Sequence, residues 1–247
     1  MQLSGKSVLV TGGARGIGAQ ITRQLVAKGA KVIIVGRNRS GLDGLVSDLG
    51  EAVTAIAADL SDAEAVDDLI ARLRTDHADL SVLINNAAIQ TEMDFHSSCE
   101  HDWTAEAREE IAVNLQAVVA LAIGLLAQLK RQPQAAIVNV GSALAIAPKQ
   151  ASPVYCATKA GMRSFTKALR YQCRQKAPNV LVCEVIMALV DTDMTRGRGS
   201  GKITPCHAAA SLIGGLEAGR TEIWVSRAKL LKIVNRLLPA LAERILR

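Results

Sequence analysis

The stretch Thr11-Gly12-Gly13-Ala14-Arg15-Gly16-Ile17-Gly18 decides the fold of this 247-residue chain. It follows a short β-branched run and precedes a segment whose apolar residues have helical spacing. A glycine-rich turn between a strand and a helix lets the backbone approach a pyrophosphate, and the start of the helix supplies free N–H groups and the positive end of its dipole. The stretch therefore predicts the phosphate-binding turn of a dinucleotide site.

Outward from this turn, short apolar runs alternate with longer amphipathic segments, as in consecutive βαβ units. Uninterrupted apolar runs such as residues 32–35 predict strands that helices cover on both faces. The predicted strands are 7–11, 31–35, 52–57, 80–84, 136–140, 180–185 and 222–225. The predicted helices are 16–28, 39–49, 62–76, 104–131, 153–176 and 205–218. We therefore expect an α/β fold, a Rossmann-like doubly wound parallel sheet of seven strands with helices on both faces.

With 49% hydrophobic residues and no linker-like segment, the chain is expected to form a single domain over residues 1–247. Residues 1–90 would be mainly the dinucleotide-binding half, and residues 91–228 the catalytic and substrate half. Residues 229–247 mix apolar side chains with cations and predict an amphipathic C-terminal helix. Docking of this helix onto the protein's own core or a sister subunit is one interpretation, and membrane-surface contact is the other.

The formal net charge of +6 lies in the C-terminal part of the chain. Residues 1–194 hold 19 basic and 20 acidic side chains, whereas residues 195–247 hold 10 and 3. Six aromatic residues offer little to stack on bases, so a nucleic-acid partner is not expected. Five scattered cysteines without a C-x-x-C pair, and apolar runs shorter than the roughly 18 residues of a membrane span, predict a cytoplasmic protein.

The end of the second predicted strand indicates which dinucleotide the turn would bind. A protein that binds NAD normally has an acidic side chain there for the ribose 2′-hydroxyl, but residues 35–39 read Val-Gly-Arg-Asn-Arg. Gly36 leaves space, and Arg37 together with Arg15 can form charge-assisted hydrogen bonds with a 2′-phosphate. The sequence therefore favours NADP(H).

A second group of polar residues indicates proton transfer. Tyr155 and Lys159 are four residues apart on a predicted helix, so their side chains project from one face. A nearby ammonium favours the ionised phenol, which allows Tyr155 to act as an acid in reduction and as a base in oxidation. Ser142, at the end of the fifth predicted strand, can hydrogen-bond a carbonyl oxygen on which negative charge develops.

The order of these motifs resembles the short-chain dehydrogenase/reductase family: T-G-x-x-x-G-x-G at 11–18, Asn-Asn-Ala at 85–87, then Ser142 and Tyr-x-x-x-Lys at 155–159. The resemblance covers most of the chain and implies hydride transfer with a nicotinamide cofactor. It implies four catalytic residues, Asn114, Ser142, Tyr155 and Lys159. It implies a larger set of cofactor-binding residues: Gly12, Arg15, Gly16, Ile17, Gly18, Arg37, Asp59, Leu60, Asn86, Ala87, Tyr155, Lys159, Val190 and Thr192.

The family pattern also implies individual roles. Asp59-Leu60 would contact the adenine, and Val190 and Thr192 would meet the nicotinamide carboxamide. Lys159 would hold the nicotinamide ribose. The backbone carbonyl of Asn114 would bind a water that links Lys159 to solvent for proton relay.

The chain departs from the family pattern at two turns. Ala88 stands where the family usually has Gly, and residues 186–190 lack the usual Pro-Gly or Pro-Pro. Without a proline to fix φ, the second turn is expected to be more mobile and to order the cofactor less firmly. Segments 190–194, 203–205 and 219–225 resemble the DltE-like bacterial branch of the family, and that branch name identifies no substrate.

The substrate pocket is expected to be mostly apolar. Its predicted lining is Ile89, Met93, Leu144, Ile146, Val154, Met187 and Leu189. The glycine-rich residues 195–202 have the position of a substrate lid, whose cations suit an acidic or phosphopantetheine-bearing substrate, and a solvated loop is the alternative. His96, Cys99 and His101 match no zinc spacing, so no metal is expected.

Together these features predict an NADPH-dependent oxidoreductase acting on a carbonyl or hydroxyl group of an apolar small substrate. A 3-oxoacyl carrier-protein reductase is the alternative among enzymes. A regulator that binds NADP(H) without turnover is the alternative from another class, and a protein recruited to membranes by its basic tail is a third. Helices 104–131 and 153–176 resemble the family's dimerisation pair, so we expect a homodimer or homotetramer.

Overall fold

The computed structural model describes residues 1–96 and 101–237. These residues form a sheet of seven parallel strands with helices on both faces. The strands are β1 Ser7–Thr11, β2 Lys31–Gly36, β3 Val53–Ala57, β4 Leu80–Asn85, β5 Ala135–Ser142, β6 Val180–Met187 and β7 Glu222–Trp224. The α-helices are α1 Gly16–Ala27, α2 Arg39–Leu49, α3 Ala63–Asp76, α4 Thr104–Ile111, α5 Ala117–Lys130, α6 Pro153–Lys176, α7 Pro205–Glu217 and α8 Ala228–Leu237.

The hydrophobic core lies in two layers, one on each face of the sheet. Val8 and Val10 of β1 pack in a layer formed with helices α1, α2 and α7, whereas Leu9 packs in a layer formed with α3, α5 and α6. Successive side chains of a strand point to opposite faces, so an unbroken apolar strand supplies both layers at once. This arrangement confirms the predicted doubly wound α/β sheet.

The strand order β3-β2-β1-β4-β5-β6-β7 places the functional crevice. The chain winds outward from β1 in one direction and from β4 in the other, so the two neighbouring strands form a topological switch point. In sheets of this kind, ligands bind beyond the carboxyl ends of the strands at that point. The glycine-rich turn, Asn85 and Ser142 all lie at this edge of the sheet.

The predicted single helix over 104–131 is divided in the structure. A π-helical turn, Ala112–Gln116, lies between α4 and α5 and keeps the helix continuous. By length and composition alone, the span Thr104–Lys130 is apolar enough to cross a membrane, whereas the sequence predicted no such span. Leu121, Leu125 and Leu129 of this span are buried against the sheet, as expected for the core helix of a soluble fold.

The first turns of the predicted C-terminal helix dock onto the protein itself. Leu231 of α8 is buried with Ala147, and Ile146 and Val234 pack beside them. This contact agrees with docking onto the protein's own core. The remainder of the predicted helix, residues 238–247, lies outside the described residues.

Candidate active site

Hydrogen bonds and close backbone packing shape the glycine-rich turn after β1. Gly12 and Gly16 have φ values of +63° and +52°, in the left-handed region that glycine adopts without strain. A Cβ atom on Gly18 would lie 2.0 Å from the carbonyl oxygen of Gly12, so only glycine fits there. The Asn86 side-chain amide donates to the Thr11 carbonyl at 2.9 Å, which ties the turn to the end of β4.

The start of α1 fits the phosphates of a dinucleotide. The helix begins at Gly16, its N-cap residue Arg15 makes no side-chain capping bond, and its first turn contains no acidic residue. The first N–H groups of a helix have no partners within the helix and carry the positive end of its dipole. With the close approach that Gly12 and Gly18 permit, this end of the sheet can hold a pyrophosphate.

Arg37, predicted to meet a 2′-phosphate, lies at the end of β2 between two acidic side chains. Its guanidinium donates to Glu109 at 2.8 Å and lies 3.6 Å from Asp59. The hydrogen bond to Glu109 is the main cause that raises the pKa of Arg37. A phosphate bound here would therefore share Arg37 with Glu109, a partner that the sequence did not indicate.

Ser142, Tyr155 and Lys159 converge where β5 ends beside α6. The Lys159 ammonium lies 5.6 Å from the centre of the Tyr155 ring and donates to the Val140 carbonyl at 2.9 Å. Tyr155 is 8% exposed and Lys159 is 2% exposed. The Ser142 hydroxyl oxygen accepts the Leu144 N–H at 3.1 Å and the side chain interacts with the Tyr155 phenol. The predicted catalytic group is thus a compact, largely buried cluster.

Burial controls the charge states of this cluster. It raises the pKa of Tyr155 to about 12, although a hydrogen bond with Ser142 acts in the opposite direction. It lowers the pKa of Lys159 to about 8, and the negative charge of Glu110 opposes this change. We expected the nearby ammonium to lower the pKa of the phenol, but in this structure desolvation is the largest influence and the pKa is raised. Tyr155 is consequently a neutral phenol at neutral pH.

Asn114 lies in the π-helical turn and its side chain holds the loop that follows β4. Its amide group accepts the Ile89 N–H at 2.9 Å and donates to the Ile89 carbonyl at 2.8 Å. It is fully buried and also approaches Thr158 at 3.4 Å. A π-turn interrupts the regular helical hydrogen bonding and is frequent at functional sites. Through these contacts the Asn114 side chain positions the backbone of Ile89 in the loop that follows β4.

The turn that follows β6 lacks the usual prolines but is anchored by backbone pairing. Val190 forms a bridge with Ile203, and the Asp191 N–H donates to the Ile203 carbonyl at 2.9 Å. This pairing ties the turn to the segment before α7, and the greater mobility expected from the missing prolines stays a prediction. A Cβ atom on Gly16 would lie 3.3 Å from the Thr192 methyl group, so the turn reaches the glycine-rich loop.

The predicted lining residues of the substrate pocket differ in exposure. Met93 and Met187 are buried, whereas the other five are partly exposed. A separate open groove of about 390 Å³ lies between α4 and α6. Its lining is Ile111, Leu115, Pro153, Val154, Ala157 and Thr158. Only Val154 belongs to both sets, so the lining of this groove is largely distinct from that of the predicted pocket.

Several residues of the site were not predicted. The Thr11 hydroxyl accepts the backbone N–H groups of Asn86 and Ala87, both at 3.0 Å. Glu109 holds Arg37, and the next residue, Glu110, is completely buried beside the catalytic cluster. Glu110 lies four positions before Asn114, so helical spacing places it on the same face as a predicted catalytic residue. This spacing was the sequence signal that could have identified it. Among the residues that the structure describes, no group of side chains could hold a metal ion.

A Rossmann-like sheet, a glycine-rich turn at its switch point and a buried Ser, Tyr and Lys cluster define a dinucleotide-dependent oxidoreductase. The sequence model of the short chain dehydrogenase family matches residues 6–202. The chain is 34% identical over 242 residues to the protein named Uncharacterized oxidoreductase DltE from Bacillus subtilis (strain 168), covering 96% of this chain and 94% of that protein.

Two further relatives agree with this match. The 3-oxoacyl acyl-carrier-protein reductase FabG of Haemophilus influenzae is 28% identical over 218 residues, which are 88% of this chain and 85% of that protein. A crystal structure of a short chain dehydrogenase from Burkholderia cenocepacia J2315 in complex with NADP has a TM-score of 0.87 and 27% identity, covering 100% of both chains. The chain belongs to the short-chain dehydrogenase family.

Proposed function

We propose that the protein is an NADP(H)-dependent oxidoreductase that transfers a hydride between the nicotinamide and a carbonyl or hydroxyl group of a small, apolar substrate. The observation that carries this proposal is the convergence of Ser142, Tyr155 and Lys159 beside the glycine-rich turn. NADP is present in the Burkholderia structure, and the Bacillus relative is named an oxidoreductase. When bound, the cofactor supplies or accepts the hydride.

The proposed cofactor site extends along the carboxyl edge of the sheet. The glycine-rich turn and the start of α1 hold the pyrophosphate, and Asp59-Leu60, Asn86 and Ala87 line the adenine and its ribose. Arg37 and Arg15 bind the 2′-phosphate, and Glu109 holds the Arg37 side chain in place for this contact. Val190 and Thr192 meet the nicotinamide carboxamide.

In the proposed reduction, Tyr155 donates the proton to the substrate oxygen. Its pKa of about 12 keeps the phenol protonated at neutral pH, as a general acid requires. The Ser142 oxygen accepts the Leu144 N–H and its side chain hydrogen-bonds the Tyr155 phenol, so a bound substrate carbonyl would receive the Ser142 proton in place of the phenol oxygen. Both donors then stabilise the negative charge that develops on that oxygen.

Lys159 and Asn114 support this step. Lys159 uses one of its three N–H groups on the Val140 carbonyl, which leaves two donors for the nicotinamide ribose. Asn114 fixes the Ile89 backbone through two hydrogen bonds and thereby positions the loop at the edge of the substrate pocket. Its backbone carbonyl lies in the π-turn, where it can serve a proton relay.

The proposed substrate pocket has residues 195–202 as its lid. Arg198 of this segment pairs with Glu92 at 3.3 Å, and Lys149 contacts the same carboxylate at 2.8 Å. Glu92 therefore joins the lid to the loops that follow β4 and β5. The apolar side chains around Met93 and Met187 favour a hydrophobic ketone, aldehyde or alcohol.

Cofactor binding tests the proposal first. Titration with NADPH and NADH, followed by cofactor fluorescence, should give tight NADPH binding and weak NADH binding. Arg37→Asp should weaken NADPH binding by about 10–100-fold because a charge-assisted contact is lost and a third acidic side chain is added. Binding of neither cofactor would refute the proposal.

Turnover tests the catalytic assignment. With a panel of apolar ketones and aldehydes, Tyr155→Phe should lower kcat by about 10²–10⁴-fold while leaving NADPH binding intact. Equal rates for the wild type and Tyr155→Phe would contradict the assigned acid. Tight NADPH binding without turnover of any carbonyl would favour a regulator that binds NADP(H).

A 3-oxoacyl carrier-protein reductase is the second candidate function. The similarity to the Haemophilus reductase and the exposed cations of the lid, such as Arg196, favour it. The protein should then reduce a 3-oxoacyl group faster when it is carried as a thioester of the carrier protein than when it is carried as a thioester of a short synthetic thiol. Arg196→Ala should remove that difference, whereas equal rates on both thioesters would contradict this candidate.

We also propose that the protein is a cytoplasmic homo-oligomer, a homodimer or homotetramer, whose subunits meet along α4, α5 and α6. The apolar groove between α4 and α6 supports this face, and Ile111, Ile123 and Tyr171 are exposed on the same helices. Such uncovered apolar side chains are typical of subunit interfaces. Ile123→Glu should produce a smaller species in analytical ultracentrifugation, and a wild-type monomer would refute the interface.

A further inference from the structure

Glu110 is a buried acidic residue beside the catalytic cluster. It lies in the last turn of α4, four residues before Asn114, and its side chain is completely buried. One carboxyl oxygen accepts the Thr91 N–H at 3.4 Å. The other is buried without a hydrogen-bond partner among the described residues. A buried carboxyl group with one long hydrogen bond costs stability, so its position needs a physical explanation.

The titratable groups that face Glu110 all lie on α6. They are Tyr155, Cys156 and Lys159, and each has an electrostatic interaction with the Glu110 carboxyl. Burial raises the pKa of Glu110 to about 7, and Lys159 opposes that rise. Lys159 in turn has a pKa lowered to about 8 by burial, and Glu110 opposes that fall. Each group therefore favours the charged form of the other near neutral pH.

We propose that the Glu110 carboxylate is the electrostatic partner of Lys159, a positioning residue that keeps the ammonium charged beside Tyr155. The inference rests on the proposed reductase function for its catalytic consequence. Lys159 is buried, and its described hydrogen bond goes to a neutral acceptor, the Val140 carbonyl. A buried ammonium needs a compensating negative charge, and Glu110 supplies it from the facing helix.

Removing the carboxylate gives a pH effect of definite sign. In Glu110→Gln, Lys159 and Tyr155 both lose a negative neighbour, so the pKa values of both groups fall. Reduction requires a charged Lys159 and a protonated Tyr155, so the basic limb of the kcat profile moves to lower pH. We expect a shift of about one pH unit, a tenfold loss of kcat on the basic side. Below about pH 6, where Glu110 itself is protonated, the variant and the wild type should be equally active.

The kinetic test measures kcat for reduction against pH in the wild type, Glu110→Gln and Glu110→Asp. The Asp variant keeps the charge and should restore most of the wild-type profile. Glu106→Gln is the matched control, because Glu106 lies one turn earlier on α4 and bonds His101 at 2.7 Å. Its basic limb should equal that of the wild type. An unchanged basic limb in a folded Glu110→Gln protein would overturn the inference.

A second measurement needs no substrate. The pKa of Lys159 can be followed directly by NMR in protein that carries ¹³C-labelled lysine, with Lys159→Met to assign its signal. Glu110→Gln should lower this pKa because the ammonium loses its negative neighbour, and an unchanged pKa would overturn the inference. If the pKa falls but no carbonyl is reduced, the proposed function fails and the inference stands.

Discussion

Gly18→Ala tests whether the glycine-rich turn depends on contact between α1 and the backbone of the preceding loop. A Cβ atom at position 18 would lie 2.0 Å from the Gly12 carbonyl oxygen and 2.7 Å from the Asn86 side-chain nitrogen, whereas ordinary contacts begin near 3.4 Å. The backbone of the turn must therefore move by more than about 1 Å, because the carbonyl of Gly12 has no rotamer that could relieve the clash.

Two opposing effects set the magnitude. Overpacking of this kind costs about 1–3 kcal/mol, and replacing glycine by alanine inside a helix returns about 0.5–1 kcal/mol. A net loss of about 1–2 kcal/mol lowers Tm by about 2–8 °C in a protein of this size. Displacement of the Gly12 carbonyl also alters the proposed phosphate site, so Kd for NADPH should rise at least about tenfold, or 1.4 kcal/mol.

Thermal unfolding and NADPH fluorescence titration measure both effects. Gly214→Ala is the matched control, because Gly214 lies within α7 and a Cβ atom there meets nothing within 4 Å. This control should stabilise the protein by about 0.5–1 kcal/mol and leave NADPH binding unchanged. A Gly18→Ala protein with wild-type Tm and wild-type Kd would refute the reasoning.

Two predictions concern buried carboxylates and pH. Arg163 holds the buried Glu184 carboxylate at 2.6 Å, so Arg163→Met should cost about 3 kcal/mol at neutral pH. Burial raises the pKa of Glu184 above its ordinary value of 4.5, so this loss should be smallest at acidic pH, where the carboxyl group is protonated, and should grow as the pH rises through that raised pKa. Urea denaturation measures the loss, and equal losses at acidic and alkaline pH would contradict the prediction. In the folded protein Glu110 has a pKa of about 7, above its ordinary value of 4.5. The folded state therefore holds a proton that the unfolded chain has released, and the wild type loses stability as the pH rises from 4.5 to about 7. Glu110→Gln should therefore raise the free energy of unfolding near pH 8, by about 3 kcal/mol at most, with no gain near pH 4, and equal stabilities at pH 8 would contradict this.

The fold could be predicted from the sequence because its signals are local. Each buried strand is a short apolar run, and each helix has its own apolar face, so the predicted bounds of β1 and α6 agree with the structure. The π-turn at Ala112–Gln116 is the main local feature that the pattern did not reveal. Its residues keep helical spacing of apolar side chains, and the sequence carries no breaker there.

The candidate site could be predicted only where one element carries its residues. Tyr155 and Lys159 share a helix, so their spacing already places them on one face. Arg37 and its partner Glu109 are 72 positions apart and come from a strand end and a helix. Such a contact depends on how distant elements pack, which hydrophobic periodicity does not describe. The sequence therefore predicted Arg37 as a phosphate ligand but did not predict that Glu109 holds its side chain.

The surroundings of two buried carboxyl groups, Glu110 and Glu184, also depend on contacts between elements that are distant in the sequence. Both are almost fully buried, and burial raises the pKa of each. Glu184 has a close guanidinium partner in Arg163, which explains its presence through packing and charge pairing. Glu110 accepts one long backbone hydrogen bond and has an electrostatic interaction with Lys159. A carboxyl group that costs stability near neutral pH and receives little direct hydrogen bonding in return is better explained by its effect on the neighbouring ammonium than by a structural role.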